Sequence, residues 1–544
     1  MEFHTSNLPI IINTSYPTVA ILTSTNHSSF VIHLLKDYFP KSKIIVDSPS
    51  EIKRVQHAHL IILLKVDNSA IEGSFSIQNG NISNCPAINI VGGGIAGVVY
   101  AVRALQTKIK QEDSIFIDSL TIHEFPSLPY RFFWTWDHST NWYLEQHGLQ
   151  EIGFANSYTK PEDGFLNDYF RLIDYMSIHR INGLTIYGFL RDSHGGIESA
   201  QVICNYAKER GVRIFPGVGI NCYGGIYWEG SHPYHLSNWL KKHPFLRAEF
   251  SQPSEFNLPD FQRLHLPETF YLNAACPSKP ENINYHVEAL QWLAETFDIG
   301  GINFETGDYG ICQCSTCNKR RNIHQQWSVH DMAEVYPQLF TAVKKMKSDA
   351  WLICESYWDN LLDLDALAPL SDLPTDSIYQ FCINRHYWQQ LKSQLTSEHV
   401  KKLPQPINIL RTHMGSQWQQ ERYTFVGKRF SEMMRLAYQT GLKGATIFGE
   451  VSSFNPINEI NYLAFARFGY DSTLTWESFL QNDLAYLFGG SEAALNFIDL
   501  FHTEPRILKS AIDKAREIAN QYTGDIYRRW VWLQNRLFQK LYMQ

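Results

Sequence analysis

From residue 130 onward the chain repeats one alternation. Eight short apolar runs, at 131–136, 183–189, 213–220, 301–305, 351–355, 377–383, 407–412 and 444–449, read as strands. Amphipathic stretches fall between most of them, at 168–180, 196–210, 283–297, 328–347 and 430–440. Strands alternating with helices predict an α/β chain with a parallel sheet. Eight such units within about 340 residues predict a (β/α)8 TIM barrel with long loops. The longest insertion, 222–270, lies between the third strand and its helix and carries Tyr, Trp, His and Pro. It is expected to form one wall of a cleft, since long loops in compact domains usually carry function.

Three regions follow from this pattern. Residues 1–122 predict a small α/β domain, with strands at 19–22, 43–46, 60–64, 74–77 and 87–91 and helices at 29–38 and 98–109. Residues 123–470 predict the barrel, and 471–544 a helical C-terminal region that packs on it or serves as a contact between copies in a homo-oligomer. Gly92, Gly94 and Gly97 have the spacing of a dinucleotide fingerprint. A fingerprint normally opens its βαβ unit, whereas this one closes a domain with several strands before it. No clear second strand ending in an acidic residue follows it. A turn and a close-packed helix start need the same glycines.

Charge narrows the function classes. The net charge is −7, from 47 Lys and Arg against 54 Asp and Glu, with no basic stripe. Nucleic acid is therefore not an expected partner. No run of about 18 apolar residues appears, so no membrane span is expected. The first residues lack a basic segment followed by a long apolar one, so no signal peptide is read there. Nine cysteines, an odd number, then predict reduced thiols and a cytoplasmic location. Aromatics make up 14 % of the chain, with 14 Trp and 28 Tyr. Such rings stack on sugar faces, although a large core uses them too.

In a barrel the chemistry collects at the C-terminal ends of the strands. Three of the expected ends carry carboxylates: Glu305, Glu355 and Glu450 are the candidate catalytic residues. Arg131, Trp136, Asp137, Asn221, Tyr309, Trp358, Arg385 and His413 are the candidates for binding substrate. Glycoside hydrolysis needs one carboxyl to protonate the leaving oxygen and a second as nucleophile or base, beside aromatic platforms and hydrogen-bond donors. Carbohydrate is therefore the expected substrate, and no cofactor is required. Two other readings stay open: a metal-dependent hydrolase or lyase with its metal near His386 and His413, and a carbohydrate-binding protein without catalysis.

Cys312, Cys314 and Cys317 follow the fourth strand with the spacing of a metal knuckle. With Cys276 as a fourth thiolate they are candidates for a structural zinc, since a four-cysteine site is closed. Cys222 is another candidate ligand, and buried reduced thiols are the alternative.

Three segments carry a family resemblance: 88–105, with its strand, glycine turn and helix; 130–141, with Arg131 and the Trp136-Asp137 pair; and 446–450 with 458–465. With them the chain resembles bacterial TIM-barrel glycoside hydrolases of the α-glucuronidase and β-hexosaminidase type, which have an α/β domain ahead of the barrel. The resemblance spans most of the chain and implies an exo-acting hydrolase of a small oligosaccharide or glycoside. It places Glu305 at the family's acid position. Hexosaminidases carry an adjacent Asp-Glu pair there, where this chain has Phe304-Glu305. The α-glucuronidases place base carboxylates on strands six and seven, where this chain reads Asn384-Arg385-His386 and Thr412-His413-Met414. Glu355 and Glu450 are left for that role, or the reaction differs. Cys276, the 300–305 run and the three-cysteine group also resemble a wider set of barrel hydrolases with a cysteine cluster after strand four.

Overall fold

A computed structural model describes residues 3–14, 16–24, 29–55, 57–111, 114–137, 140–142, 162–249, 274–305, 312–321, 329–356, 360–383, 385–412 and 424–542. The eight predicted strands all form. They are β1 (Tyr130–Trp136), β2 (Gly183–Tyr187), β3 (Arg213–Gly219), β4 (Gly301–Glu305), β5 (Trp351–Ser356), β6 (Ile378–Ile383), β7 (Ile407–Thr412) and β8 (Gly444–Phe448). Every neighbouring pair is parallel, and β8 pairs β1, which closes the barrel. Closure leaves no strand edge exposed, which a run of eight apolar strands requires.

The period of two along each strand sorts the side chains. Phe133, Leu184, Ile186, Ile302, Phe304, Leu352, Phe381, Leu410 and Ile447 belong to the large core shared with the helices. Phe132, Phe215, Ile353, Ile378 and Ile409 instead pack on one another inside the barrel, with Tyr130, Trp351 and Ile407 against them. These residues come early in their strands, so they plug the barrel's N-terminal end. Further along the same inward rows the side chains turn polar: Thr185, Asn303, Glu305, Glu355, Gln380, Arg411 and Thr446, all buried. Inward polar groups above an apolar plug are what distinguish the reactive end of such a barrel from its base.

Ahead of the barrel, six strands form a mixed sheet in the order His4–Thr5, Phe75–Ile82, Cys85–Gly93, Leu60–Asp67, Thr18–Thr23, Lys43–Asp47. Thr121–Glu124 adds antiparallel to Phe75–Ile82. A second, three-stranded sheet joins Ile10–Ile12, Ile115–Ile117 and Ile109–Gln111. This region meets the base of the barrel. Tyr470 donates from its hydroxyl to the Gly73 carbonyl at 3.0 Å, and Arg213, the first residue of β3, pairs with Glu72 at 2.8 Å.

The glycine cluster is a packing device. The strand Cys85–Gly93 runs directly into the helix Gly94–Gln106. A Cβ on Gly92 would lie 2.1 Å from the Val98 nitrogen, one on Gly93 2.1 Å from the Ile71 carbonyl oxygen, and one on Gly97 2.1 Å from the Ser74 carbonyl oxygen. At Gly94, the position a fingerprint reserves for the pyrophosphate, a Cβ would meet the Glu72 side chain at 3.3 Å, so the chain's own 71–74 segment occupies that approach. Gly97→Ala is expected to lower stability by about 1–3 kcal/mol in urea unfolding, through overpacking against backbone that has no side-chain freedom to yield.

C-terminal to the barrel, residues 471–542 are helical with short connections. Arg529 makes a buried bidentate pair with Glu459, at 2.7 and 2.8 Å, tying the last helix (Gly524–Tyr542) to the helix that follows β8 (Pro456–Tyr470). Among the described residues no helix is long and apolar enough to cross a membrane.

Candidate active site

Glu305 ends β4 and Glu355 lies in β5, and the two are register partners on adjacent strands. Neighbouring strands run about 4.8 Å apart. Both residues belong to the inward row and both are fully buried. Two carboxyl groups therefore share one small volume.

Glu355 is held from several strands. One oxygen of Glu355 accepts three hydrogen bonds: from Trp134 Nε1 at 3.1 Å, from the Tyr187 hydroxyl at 3.1 Å and from Asn303 Nδ2 at 2.8 Å. Its other oxygen pairs with the Arg411 guanidinium, which also lies over the rings of Trp134 and Phe448. Every one of these contacts is a donor or a cation, surroundings that favour the charged carboxylate. Burial pushes Tyr187 well above the ordinary phenol range, and its hydroxyl also interacts with Glu305. The phenol therefore keeps its hydrogen and bridges the two carboxyl groups. Asn303 donates to the Tyr187 oxygen as well, at 2.8 Å, which fixes the phenol's orientation.

Glu450 lies two residues past β8 and is also buried. Its carboxylate accepts from the Trp136 backbone N–H at 3.0 Å, and its carbonyl accepts from Asn141 N–H at 2.8 Å. It holds the end of β1 in place and with it the Trp136 ring.

A cluster of aromatic rings lies beside the strand ends, with Trp136 its partly exposed member. Half-buried Trp136 meets Trp228 and Tyr223 edge-on, with centroids at 5.4 and 5.8 Å, and Tyr223 stacks on Trp228 at 5.4 Å. Asn221 and Tyr223 reach this position through left-handed backbone, φ +72° and +53°. Asn tolerates that region, whereas for Tyr it is uncommon, and such conformations cluster at functional sites. Burial pushes His286 down to about 4, so it is neutral and donates from Nε2 to Asn221 Oδ1 at 3.3 Å.

Two sequence candidates have other roles here. Arg131 is the second residue of β1, at the base of the barrel. Its guanidinium donates to the carbonyls of Arg180, Leu128 and Pro129 at 2.8, 2.6 and 3.1 Å and faces the Tyr470 ring. It stitches the base together and does not line the mouth, a correction to its expected place in sugar binding. Asp137 is at the mouth but already engaged, in a buried pair with Arg191 at 2.8 Å and within 3.4 Å of His194 Nε2. Trp136 and Asn221 do converge on the mouth. Arg385 begins the helix Arg385–Gln394, which follows β6. Tyr309, Trp358 and His413 lie outside the described residues, as does the 250–270 part of the long insertion.

Asn303, Arg411 and Trp228 are the residues a reading of strand tips misses. The signal for the first two is parity: Asn303 lies two before Glu305, and Arg411 two after Ile409, on the same inward rows.

The four candidate cysteines converge. The sulfurs of Cys276, Cys312, Cys314 and Cys317 all lie within 4.8 Å of one another, and all four residues are buried. Cys222 packs instead among the rings of Trp134, Tyr187, Tyr223 and Trp228.

No family model matches the chain, and no curated protein does. Solved structures do. The β-N-acetylhexosaminidase of Bacteroides fragilis NCTC 9343 aligns with a TM-score of 0.51 at 14 % identity, over 88 % of this chain and 92 % of that one. The Flavobacterium johnsoniae chitobiase aligns at 0.54 and 14 %, over 96 % and 75 %. A GH138 enzyme targeting pectin rhamnogalacturonan II aligns at 0.54 and 11 %, over 89 % and 69 %. The fold is that of TIM-barrel glycoside hydrolases. At these identities the likeness reaches the fold and not the substrate.

Proposed function

We propose that the chain is a glycoside hydrolase that cleaves a terminal sugar at the C-terminal mouth of its barrel, with Glu305 as general acid and Glu355 as the charged carboxylate. The supporting observation is the set of donors and the cation around Glu355, the register partner of Glu305. Arg411 and three donors hold Glu355 as an anion. That negative charge and complete burial favour a Glu305 that keeps its proton. Two carboxyl groups given different roles by their environments are the requirement of glycosidic cleavage. Half-buried Trp136, held from behind by the buried rings of Tyr223 and Trp228, provides the apolar surface on which a sugar face stacks.

Acetamido assistance is not part of the proposal. Phe304 fills the place of the hexosaminidase aspartate and faces the helices, packing on Tyr336 and Phe340 at 5.5 and 4.9 Å. Bond cleavage is assigned to side chains alone. A structural zinc at the four cysteines belongs to the same picture as a support for the loop after β4 and takes no part in the chemistry.

The test is incubation of the intact chain with a panel of aryl glycosides differing in sugar and anomer. Release of the phenol from at least one is expected. Sugar binding without turnover would instead favour a carbohydrate-binding protein. Turnover abolished by chelation, with the fold intact, would favour the metal-dependent reading.

A further inference from the structure

We infer that Cys276, Cys312, Cys314 and Cys317 form a closed tetrahedral zinc site that clamps the loop after β3 to the loop after β4. The inference rests on the cysteine geometry and stands whether or not the chain cleaves glycosides.

The first observation is a distance. Zinc–thiolate bonds of about 2.3 Å in a tetrahedron set the sulfurs about 3.8 Å apart. Cys276 Sγ lies 3.8 Å from both Cys314 Sγ and Cys317 Sγ, and the remaining pairs fall within 4.8 Å. A disulfide needs about 2.05 Å, so no pair is bonded. Four sulfurs from two segments 36 residues apart do not gather this closely for packing alone, since thiols are weak donors and weak acceptors.

The second observation is what surrounds the sulfurs. The Ser278 hydroxyl lies 2.9 Å from Cys317 Sγ, Arg320 Nη2 donates to the same sulfur at 3.7 Å, and Glu249 N–H donates to Cys312 Sγ at 3.4 Å. Donors and a cation directed at sulfur stabilise thiolates and orient metal ligands. Arg320 is itself held by Asp331, which also takes Arg321, while Arg321 donates to the Cys312 carbonyl at 2.7 Å. The shell around the cluster is thus built on charged side chains rather than on a dry apolar core.

The third observation is what the site connects. Ala275, beside Cys276, donates from its N–H to the Asn221 carbonyl at 2.9 Å, and Asn282 Nδ2 donates to the Cys276 carbonyl at 3.0 Å. Cys276 therefore belongs to the excursion that starts at Asn221, at the mouth. Cys312 follows Glu305 by seven residues. A metal at the four sulfurs joins these two walls. All four positions are filled by protein, so no site is open for substrate and the role is structural.

Purified protein, expressed with zinc in the medium, is expected to carry about one equivalent by elemental analysis. Cobalt exchanged into the wild-type chain should show the ligand-field bands and sulfur charge transfer of a tetrahedral thiolate site. Cys314→Ser should lose the metal and lower the melting temperature by about 5 °C or more. If that variant does not fold, the cobalt spectrum of the wild type still decides. Metal-free protein, a cobalt spectrum without sulfur charge transfer, or full zinc retention in Cys314→Ser would each overturn the site. An equivalent of iron in place of zinc would overturn the identity of the metal. None of these readouts depends on turnover, so failure here is distinct from failure of the hydrolase proposal.

Discussion

Glu305→Gln is expected to lower kcat/KM on a natural glycoside by about 10²–10⁴-fold, the usual worth of general acid catalysis. Glutamine keeps the shape of the side chain, and its amide cannot donate a proton to the leaving oxygen. Glu305 has a buried, inward position beside Glu355 and shares Tyr187 with it, so the substitution touches the proton and little of the packing. The loss should shrink on an aryl glycoside whose phenol leaves readily, because that bond needs less protonation. Comparable rates on a poor-leaving-group substrate would remove Glu305 from the acid role. An equal loss on both substrates would make it the nucleophile or base. The melting temperature should change little in either case, which separates a lost proton from a lost fold.

Arg411→Met is expected to cost about 3–5 kcal/mol of stability, the usual result of leaving one member of a buried pair alone. Arg411 and Glu355 are both buried, the guanidinium stacked over Trp134 and Phe448 and the carboxylate facing it. Methionine preserves most of the apolar stem and removes the charged guanidinium with its donors. The largest part of the penalty is the unpaired charge of Glu355, and a second change that neutralises Glu355 should recover that part. Urea unfolding of Arg411→Met, Glu355→Gln and the double variant closes the cycle, with a coupling of about 1–3 kcal/mol expected. A cost under about 1 kcal/mol for Arg411→Met would mean that Glu355 does not carry a charge in the folded chain. In that event the assignment of different roles to the two carboxyl groups would fail with it.

The candidate residues show how far a strand-tip reading reaches. Glu305, Glu355 and Glu450 are legible because each closes an apolar run, and the end of a run is visible in sequence. Arg131 shows the limit. It shares β1 with Trp136, yet five residues at about 3.3 Å each put it about 16 Å away, at the opposite end of the barrel. Arg411 shows the converse. It looks like an interruption near the end of an apolar run, and only its parity with Ile409 marks it as facing inward. Asp137 looks like a free acid beside a tryptophan, but its partner Arg191 comes from the segment after β2. The glycines at 92–97 match a cofactor motif in spacing, and what fills the space beside them is the 71–74 segment.

The barrel was written in the sequence by itself. Strand and helix periods are local properties, and eight repeats of one local unit admit few ways to bury their apolar faces. The gathering of the cysteines was only half legible: Cys312, Cys314 and Cys317 lie close along the chain, whereas Cys276 is 36 residues earlier. Tertiary structure alone decided which polar residues meet. The contacts of Glu355 come from Trp134, Tyr187, Asn303 and Arg411, on four different strands. Those contacts depend on closure and on register, which shifts every inward residue at once if it slips by one. No local pattern encodes them, because each residue's role is set by the charge that faces it across the barrel.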